Sequence, residues 1–278
     1  MSDYKRVLTI QDISCIGQCS LTVALPLLSC CGLETAVLPS AVLSTHTGGF
    51  KGYTFRDLTE DMPKIAEHWR TEDLRFDAIY SGYLGSARQV EIVREIMTTL
   101  GKDGCVRIVD PAMADNGVLY TGFADDFPSK MARLCQGADY LLPNLTEAAL
   151  LVGEKPRLSG YSETDIRRLI SRVHELGAKN VVLTGVSFEE ELLGTAISDG
   201  VSVSYDFNPR LRRSSHGTGD VFASIFAGAI LRGKSAVDAA ALAADVVCAA
   251  IDATDDDHWY GVSFEKVMPL AVNAFDKP

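Results

Sequence analysis

The sequence has no basic stripe, no low-complexity segment, no internal repeat and no apolar stretch near the length of a membrane span. Each absence removes a class of function. Lys and Arg number 26 against 37 Asp and Glu, a formal charge of −11. That balance disfavours nucleic acid as a partner, because phosphate backbones are gripped through an excess of Lys and Arg. Since no run approaches the ~20 apolar residues that cross a bilayer, no membrane partner is expected. Met1 to Arg6 leads directly into a strand-like segment, so a cytoplasmic protein is the default expectation. The seven cysteines are odd in number, and none are spaced Cys-x-x-Cys. Cys30-Cys31, Cys105 and Cys248 lie in apolar runs, the setting of buried thiols, so neither a disulfide framework nor a zinc site is read. With 47% hydrophobic residues in 278, the chain can bury a sizeable core.

Apolar runs at Val7 to Ile10, Glu34 to Leu38, Phe76 to Tyr80, Cys105 to Val109, Asp139 to Leu142 and Asn180 to Leu183 predict buried strands. Helical spacing falls on Ser20 to Cys31, Asp57 to Trp69, Ala87 to Leu100, Pro128 to Cys135 and Glu147 to Leu151. It recurs on Ser162 to Leu176, Val221 to Leu231, Ala236 to Ile251 and Ser263 to Ala274. Leu192 to Ser198 and Val201 to Phe207 read as a hairpin turning at Asp199-Gly200. Strands alternating with helices argue one α/β domain, residues 1–278, with a doubly wound, mostly parallel central sheet in a three-layer α/β/α arrangement. Ligands of such folds bind outside the carboxyl ends of the strands. The polar clusters after Ile10, Tyr80, Val109, Leu142 and Leu183 all fall on that edge, Gln11 to Gly17 being read as a loop. The acidic stretch Asp252 to Asp257 reads as a solvated turn.

Ser215-His216-Gly217-Thr218-Gly219-Asp220 stands between an arginine-bearing loop, Asn208 to Ser215, and the small-residue run that follows. Glycines on either side of Thr218 let the backbone turn tightly and aim successive N–H groups at one point, where the helix dipole adds positive charge. An anion fits there. Asp220 then brings a carboxylate to the same point, either as the general base for a hydroxyl attacking a phosphoryl group or as a charge favourable to the dipole. A second cluster, Asp110, Asn144 and Glu147, offers hard oxygen ligands of the kind Mg²⁺ takes in ATP-dependent transfer. The alternative is that Asn144 and Glu147 only cap a helix. His46, in the hydroxyl-rich loop Leu43 to Phe50, reads as an ordinary hydrogen-bonded loop histidine.

These motifs, in this order, resemble the vitamin B6 (pyridoxal) kinases of the ribokinase-like superfamily. The match runs from Val7 to about Ala250. It rests on Gln11 to Ser14, Ser44 to Gly48, Ser81-Gly82-Tyr83-Leu84-Gly85-Ser86, Asp110-Pro111-Ala112-Met113, Pro143-Asn144-Leu145-Thr146-Glu147 and Gly217-Thr218-Gly219-Asp220. The resemblance implies ATP-dependent phosphorylation of the 5′-hydroxymethyl group of pyridoxal, pyridoxine or pyridoxamine by a homodimer. It makes Asp220 the base and the backbone of Gly217, Thr218 and Gly219 the anion hole. Asp110 and Glu147 would serve Mg-ATP as metal ligands, with Asn144 and Thr184 also on the nucleotide side, and there is room for a monovalent cation, K⁺ or Na⁺. Asp12, Ser14, Thr47 and Tyr83 would surround the pyridine ring, Tyr83 stacking on it.

Many relatives have serine where Asp12 stands. A carboxylate there would pair with a protonated ring nitrogen, or else cap a turn and leave that contact to Ser14 or a water. Some relatives have lysine in place of Thr184. Hydroxymethylpyrimidine kinases of thiamine synthesis are similar but usually place cysteine where this chain has Asp220, and a sugar kinase would need more carboxylates or amides than the Tyr83 loop offers. A non-catalytic B6-binding protein is the reading from another class, and Asp110, Glu147 and Asp220 argue against it.

Overall fold

Val7 and Leu8 are neighbours in sequence, both without solvent contact, and they lie in different halves of the core. Strand side chains alternate between faces, so a strand apolar at successive positions must be covered on both. The same alternation holds for Ala78, Ile79 and Tyr80, and for Val181, Val182 and Leu183. The computed structural model describes residues 4–211 and 215–275; Arg212, Arg213 and Ser214 of the arginine-bearing loop lie outside the described residues.

The chain runs β1 (Arg6–Ser14), α1 (Leu21–Cys30), β2 (Glu34–Leu43), β3 (Phe55–Asp57), α2 (Met62–Thr71), β4 (Phe76–Ser81) and α3 (Ala87–Thr99). Next come β5 (Gly101–Val109), a small hairpin of β6 (Ala114–Asp115) and β7 (Val118–Leu119), α4 (Phe127–Cys135), β8 (Tyr140–Leu141), α5 (Leu145–Leu151) and α6 (Glu163–His174). The last part is β9 (Asn180–Val186), β10 (Leu192–Ser198), β11 (Val203–Pro209), α7 (Thr218–Leu231), α8 (Ala236–Asp252), a 3₁₀ turn Phe264–Val267 and α9 (Met268–Phe275).

A nine-stranded sheet has the order β11-β10-β9-β8-β5-β4-β1-β2-β3. From β2 to β9 every pairing is parallel, while β3, β10 and β11 add antiparallel edges. One face is covered by α1, α7, α8 and α9 and the other by α2 to α6, which is the expected three-layer α/β/α architecture. The chain leaves β1 for β2 on one side and later returns to pair β4 on the other. That makes the β1–β4 boundary the point where a crevice opens at the carboxyl edge.

Three local expectations are corrected. Gln11 to Ser14 is not a loop but the second half of β1, because β2 extends past Leu38 and offers Pro39 to Leu43 as partners across a bulge. Gln11 survives burial there by donating from Nε2 to Thr9 Oγ1 at 2.9 Å. The helix expected from Asp57 starts five residues later, since Phe55–Asp57 pairs with Ala41 to Leu43 as β3, a tertiary contact invisible to local spacing. The final helix is broken into a 3₁₀ turn and α9. Asp199-Gly200 does turn the hairpin: Gly200 takes φ +87°, and Asp199 Oδ1 accepts the N–H groups of Val201 and Ser202 at 2.9 and 2.8 Å.

The small residues of α7 matter where that helix crosses α1. A β-carbon on Gly228 would stand 2.8 Å from Cys31 Cβ and closer still to its sulfur. Gly→Ala inside an exposed helix gains about 1 kcal/mol from propensity, whereas overpacking a core costs about 1–3 kcal/mol. Gly228→Ala should therefore lower unfolding stability in urea, and adding Cys31→Ala should restore part of the loss. A net gain in the single variant would show that α1 and α7 part without strain.

Candidate active site

Helix α7 starts where it does because Gly217 occupies its N-cap in the left-handed region, φ +80°. A side chain there would run into the Gln18 carbonyl, so glycine alone lets the two segments touch. Gly219, in the first turn, has nothing within 4 Å of where a β-carbon would sit, so the turn borders open space. Free N–H groups at a helix start, facing a gap, form an anion site. Thr218 Oγ1 donates back to the Ser215 carbonyl at 3.3 Å and steadies the turn.

Asp220 lies in that first turn, half-buried. Burial pushes its carboxyl up to about 7; the backbone N–H of Ser20 opposes the rise and the Asp12 carboxylate adds to it. Asp110, just past β5, is held well above the usual carboxylate range, mainly by burial and then by Glu147 and Asp220. Glu147 is 3% exposed and likewise pushed up to about 7, chiefly by burial. Asp110 thus feels the charges of both Glu147 and Asp220.

Around Glu147 the capping reading holds. Asn144 caps α5, its Oδ1 accepting Glu147 N–H at 2.9 Å, while Glu147 Oε2 accepts Asn144 N–H at 2.9 Å. Glu147 Oε1 also accepts the N–H groups of Met113 at 3.0 Å and Ala114 at 3.4 Å, and Asn144 Nδ2 donates to the Ala114 carbonyl at 2.8 Å. The capping box thus ties the loop after Asp110 to α5. No group of three or more His, Cys, Asp or Glu side chains is arranged around a metal position among the described residues. Thr184, in β9, donates its N–H to the Pro143 carbonyl at 2.9 Å and bridges to Asn144, at the same edge.

On the β1 side Asp12 is 4% exposed, with Oδ1 accepting Ser20 Oγ–H at 2.5 Å and Oδ2 accepting Ser14 Oγ–H at 2.9 Å. Tyr83 follows β4 half-buried; its ring lies 5.6 Å from Phe123, which stacks on Phe127 at 4.0 Å. Burial, then the nearby Asp12 charge, pushes the Tyr83 hydroxyl up to about 12. Thr47 is exposed on a loop pinned by His46, whose Nδ1 accepts Gly48 N–H at 3.0 Å, leaving Nε2–H to donate to the Tyr260 carbonyl at 2.7 Å. His46 also lies 4.9 Å from the His216 ring, so the Thr47 loop abuts the turn before Gly217.

Sequence reasoning missed Tyr120, Cys19 and Ser20. Tyr120 is placed by its N–H to the Met113 carbonyl at 2.8 Å, and its hydroxyl is pushed far up by burial and by Glu147, Asp110, Asp115 and Asp220. Its one signal was an aromatic residue among turn formers. The Cys19 thiol, raised by burial and by Asp220 and Asp12, is no nucleophile.

An acid that titrates near 7 when folded and near 4 when unfolded holds its proton more tightly in the folded chain. The stability it contributes is complete below about pH 4 and is lost as pH rises through 7. Asn does not titrate. Asp220→Asn should therefore gain on the wild type between pH 5 and 8 by on the order of 2 kcal/mol. Urea unfolding at both pH values checks this, and an equal difference at the two would remove the buried-carboxyl account.

Comparison with known proteins agrees with this geometry. The sequence model of the phosphomethylpyrimidine kinase family matches residues 40–262. The crystal structure of a candidate phosphomethylpyrimidine kinase from Bacteroides thetaiotaomicron, in a form with pyridoxal, is 32% identical with a TM-score of 0.90, covering 99% of this chain and 96% of that one. Pyridoxal kinase from Lactobacillus plantarum is 30% identical with a TM-score of 0.89, covering 97% of each chain. Pyridoxal kinase of Dictyostelium discoideum is 26% identical over 244 residues, 82% of this chain and 78% of that protein. The chain belongs to the phosphomethylpyrimidine kinase family, enzymes of ribokinase-like fold that include the pyridoxal kinases.

Proposed function

We propose that this kinase phosphorylates vitamin B6, passing the γ-phosphoryl group of ATP to the 5′-hydroxymethyl oxygen of pyridoxal, pyridoxine or pyridoxamine. The observation that carries the reading is the Asp220 carboxyl, tuned to about 7 beside the Gly217–Gly219 turn. A base whose pKa lies near the working pH is ionised in part and still strong enough to take a hydroxyl proton. As the 5′-oxygen attacks phosphorus, its proton passes to Asp220, the new O–P bond forms, and the bond to the bridging oxygen of ADP breaks. N–H groups of the turn and the α7 dipole receive the charge on the transferring group.

Tyr83, backed by the Phe123–Phe127 stack, offers a flat apolar face to a pyridine ring. The pyridoxal in the Bacteroides structure supports this choice of substrate. Both Asp12 oxygens already accept serine hydroxyls, which supports Asp12 acting through Ser14 and Ser20 instead of on the ring nitrogen. Asp110, Asn144 and Thr184 face the nucleotide side.

Asp110, raised by burial and then by the Glu147 and Asp220 charges, fits one carboxylate ligand of Mg²⁺, since a cation relieves like charges. Asp110 would hold the ion, and Glu147 would back it by fixing Met113 and Ala114. Bound Mg²⁺ supplies charge neutralisation at the phosphates. A single-domain chain working as a cytoplasmic homodimer completes the reading.

The family's name favours one other substrate, hydroxymethylpyrimidine. An ATP-consumption assay across pyridoxal, pyridoxine, pyridoxamine, hydroxymethylpyrimidine and ribose decides between them: a B6 vitamer should give the highest kcat/KM. If hydroxymethylpyrimidine or ribose does, the assignment is wrong. Asp220→Asn should keep nucleotide binding but lower kcat by roughly 10²–10⁴. Near-normal turnover in that variant would take the base role from Asp220.

A further inference from the structure

The loop from β2 to β3 is closed at its neck, where Ser44 donates its N–H to the Thr54 carbonyl at 3.2 Å and its Oγ accepts Thr54 N–H at 2.9 Å. Inside the neck His46 is buried, while Thr47 beside it is exposed, and the Thr47 hydroxyl has no hydrogen-bond partner among the described residues. A buried imidazole needs an answer for both ring nitrogens, and here each has one. Nδ1 accepts Gly48 N–H at 3.0 Å. Because a carbonyl only accepts, Nε2 carries the proton and donates it to the Tyr260 carbonyl at 2.7 Å. Burial holds the imidazole below its ordinary pKa against the pull of the Tyr260 bond, and His216 adds to the fall, so Nδ1 stays able to accept.

Glycine lets the surroundings close on this ring and on the loop it carries. A β-carbon on Gly17, at φ +126°, would enter the His46 ring. One on Gly48 would stand 2.6 Å from His216 Cε1, and one on Gly49 2.8 Å from Trp259 Cζ3. Phe50 meets the His46 ring edge-on at 5.1 Å and the Trp259 ring at 4.7 Å. Three segments distant in sequence therefore bear on His46 to Phe50. One of them, His216, directly precedes Gly217, the N-cap of α7. Thr47 thus offers a free hydroxyl from a backbone packed against the residue that leads into the anion turn.

We propose that His46 is a positioning residue for the acceptor substrate: its two hydrogen bonds fix the Thr47 backbone between Gly48 and the Tyr260 carbonyl, so that the Thr47 hydroxyl meets the alcohol beside the anion turn. The Nδ1 bond shapes the loop locally, and the Nε2 bond docks it on Trp259-Tyr260. Neither nitrogen is left to touch substrate. The role rests on the reading of the Gly217–Gly219 turn as the place of phosphoryl transfer.

Asparagine and glutamine each keep one of the two bonds. Asn sets an amide oxygen near the Nδ1 position and can accept Gly48 N–H, whereas Gln reaches farther and can donate to Tyr260. With whichever alcohol the wild type phosphorylates best, KM for that alcohol should rise about tenfold in His46→Asn and in His46→Gln, with kcat and the ATP KM within about twofold of wild type. Thr47→Val should raise the same KM as much. Adding His46→Gln to Thr47→Val should raise it no further, because the imidazole acts through that hydroxyl. Losses that multiply in the double variant overturn the proposal, as does an unchanged alcohol KM in both His46 variants or an equal rise for ATP.

A second readout needs no substrate. The chain has two tryptophans, so in a Trp69→Phe background Trp259 alone reports, and its ring lies against Gly49 and Phe50. His46→Asn, without the bond to Tyr260, should let the loop lift from Trp259 and shift its emission to the red, while His46→Gln should leave the emission in place. The same shift in both variants, or in neither, overturns the docking role of Nε2. If the wild type prefers an alcohol other than a B6 vitamer, the functional reading falls, and the same KM values and emission still decide the role of His46.

Discussion

Carboxylates crowded into one desolvated crevice are the constraint on which the rest of the structure depends. Asp12, Asp110, Glu147 and Asp220 come from β1, the end of β5, α5 and α7, and all four are raised above the ordinary carboxylate range, with burial the first cause. Among the described residues, Ser14 and Ser20 hydroxyls hold Asp12 and backbone N–H groups hold Glu147, donors without full charge. A neutral dipole lowers a carboxyl's pKa less than an ion pair does, which leaves Asp220 near 7 instead of near 2. That value suits the base role proposed for Asp220.

The sheet topology brings those groups together, and backbone geometry keeps them there. Because β1 lies between β2 and β4, its carboxyl end opens on the crevice at the switch point, and Asp12 stands on it. Asp110, Asn144 and Thr184 follow from the ends of β5, β8 and β9. Helix α7 contributes its start, where Gly217 allows the close approach of the Gln18 carbonyl.

Much of the site was legible in the sequence where one residue type has one physical use. Gly217 and Gly219 around Thr218 announced an anion turn, and Asn144 with Glu147 three residues on announced a capping box. What stayed hidden was joint use: Glu147 completes that cap and also holds Met113 and Ala114, and spacing cannot show an acceptor shared between distant segments. Gln11 to Ser14 looked like a loop because polar residues rarely fill a buried strand, yet Pro39 to Leu43 supplied the pairing and Thr9, Ser14 and Ser20 the internal hydrogen bonds. Tyr120 and Ser20 escaped notice because neither has a motif; each is defined by what lies across the crevice.

By itself the sequence determined the layered α/β architecture, because apolar runs of strand length alternating with amphipathic helices have few other ways to bury both faces of a strand. It also determined at which edge the polar clusters gather, since they follow strand after strand. Only the tertiary structure decided the extent of β1, the existence of β3, and the protonation behaviour of the four acids. Local periodicity reports how a residue sits against its own neighbours. A carboxyl's pKa is set by desolvation and by charges and N–H groups a few ångströms away, supplied here by residues up to about two hundred positions distant, as Ser20 is from Asp220.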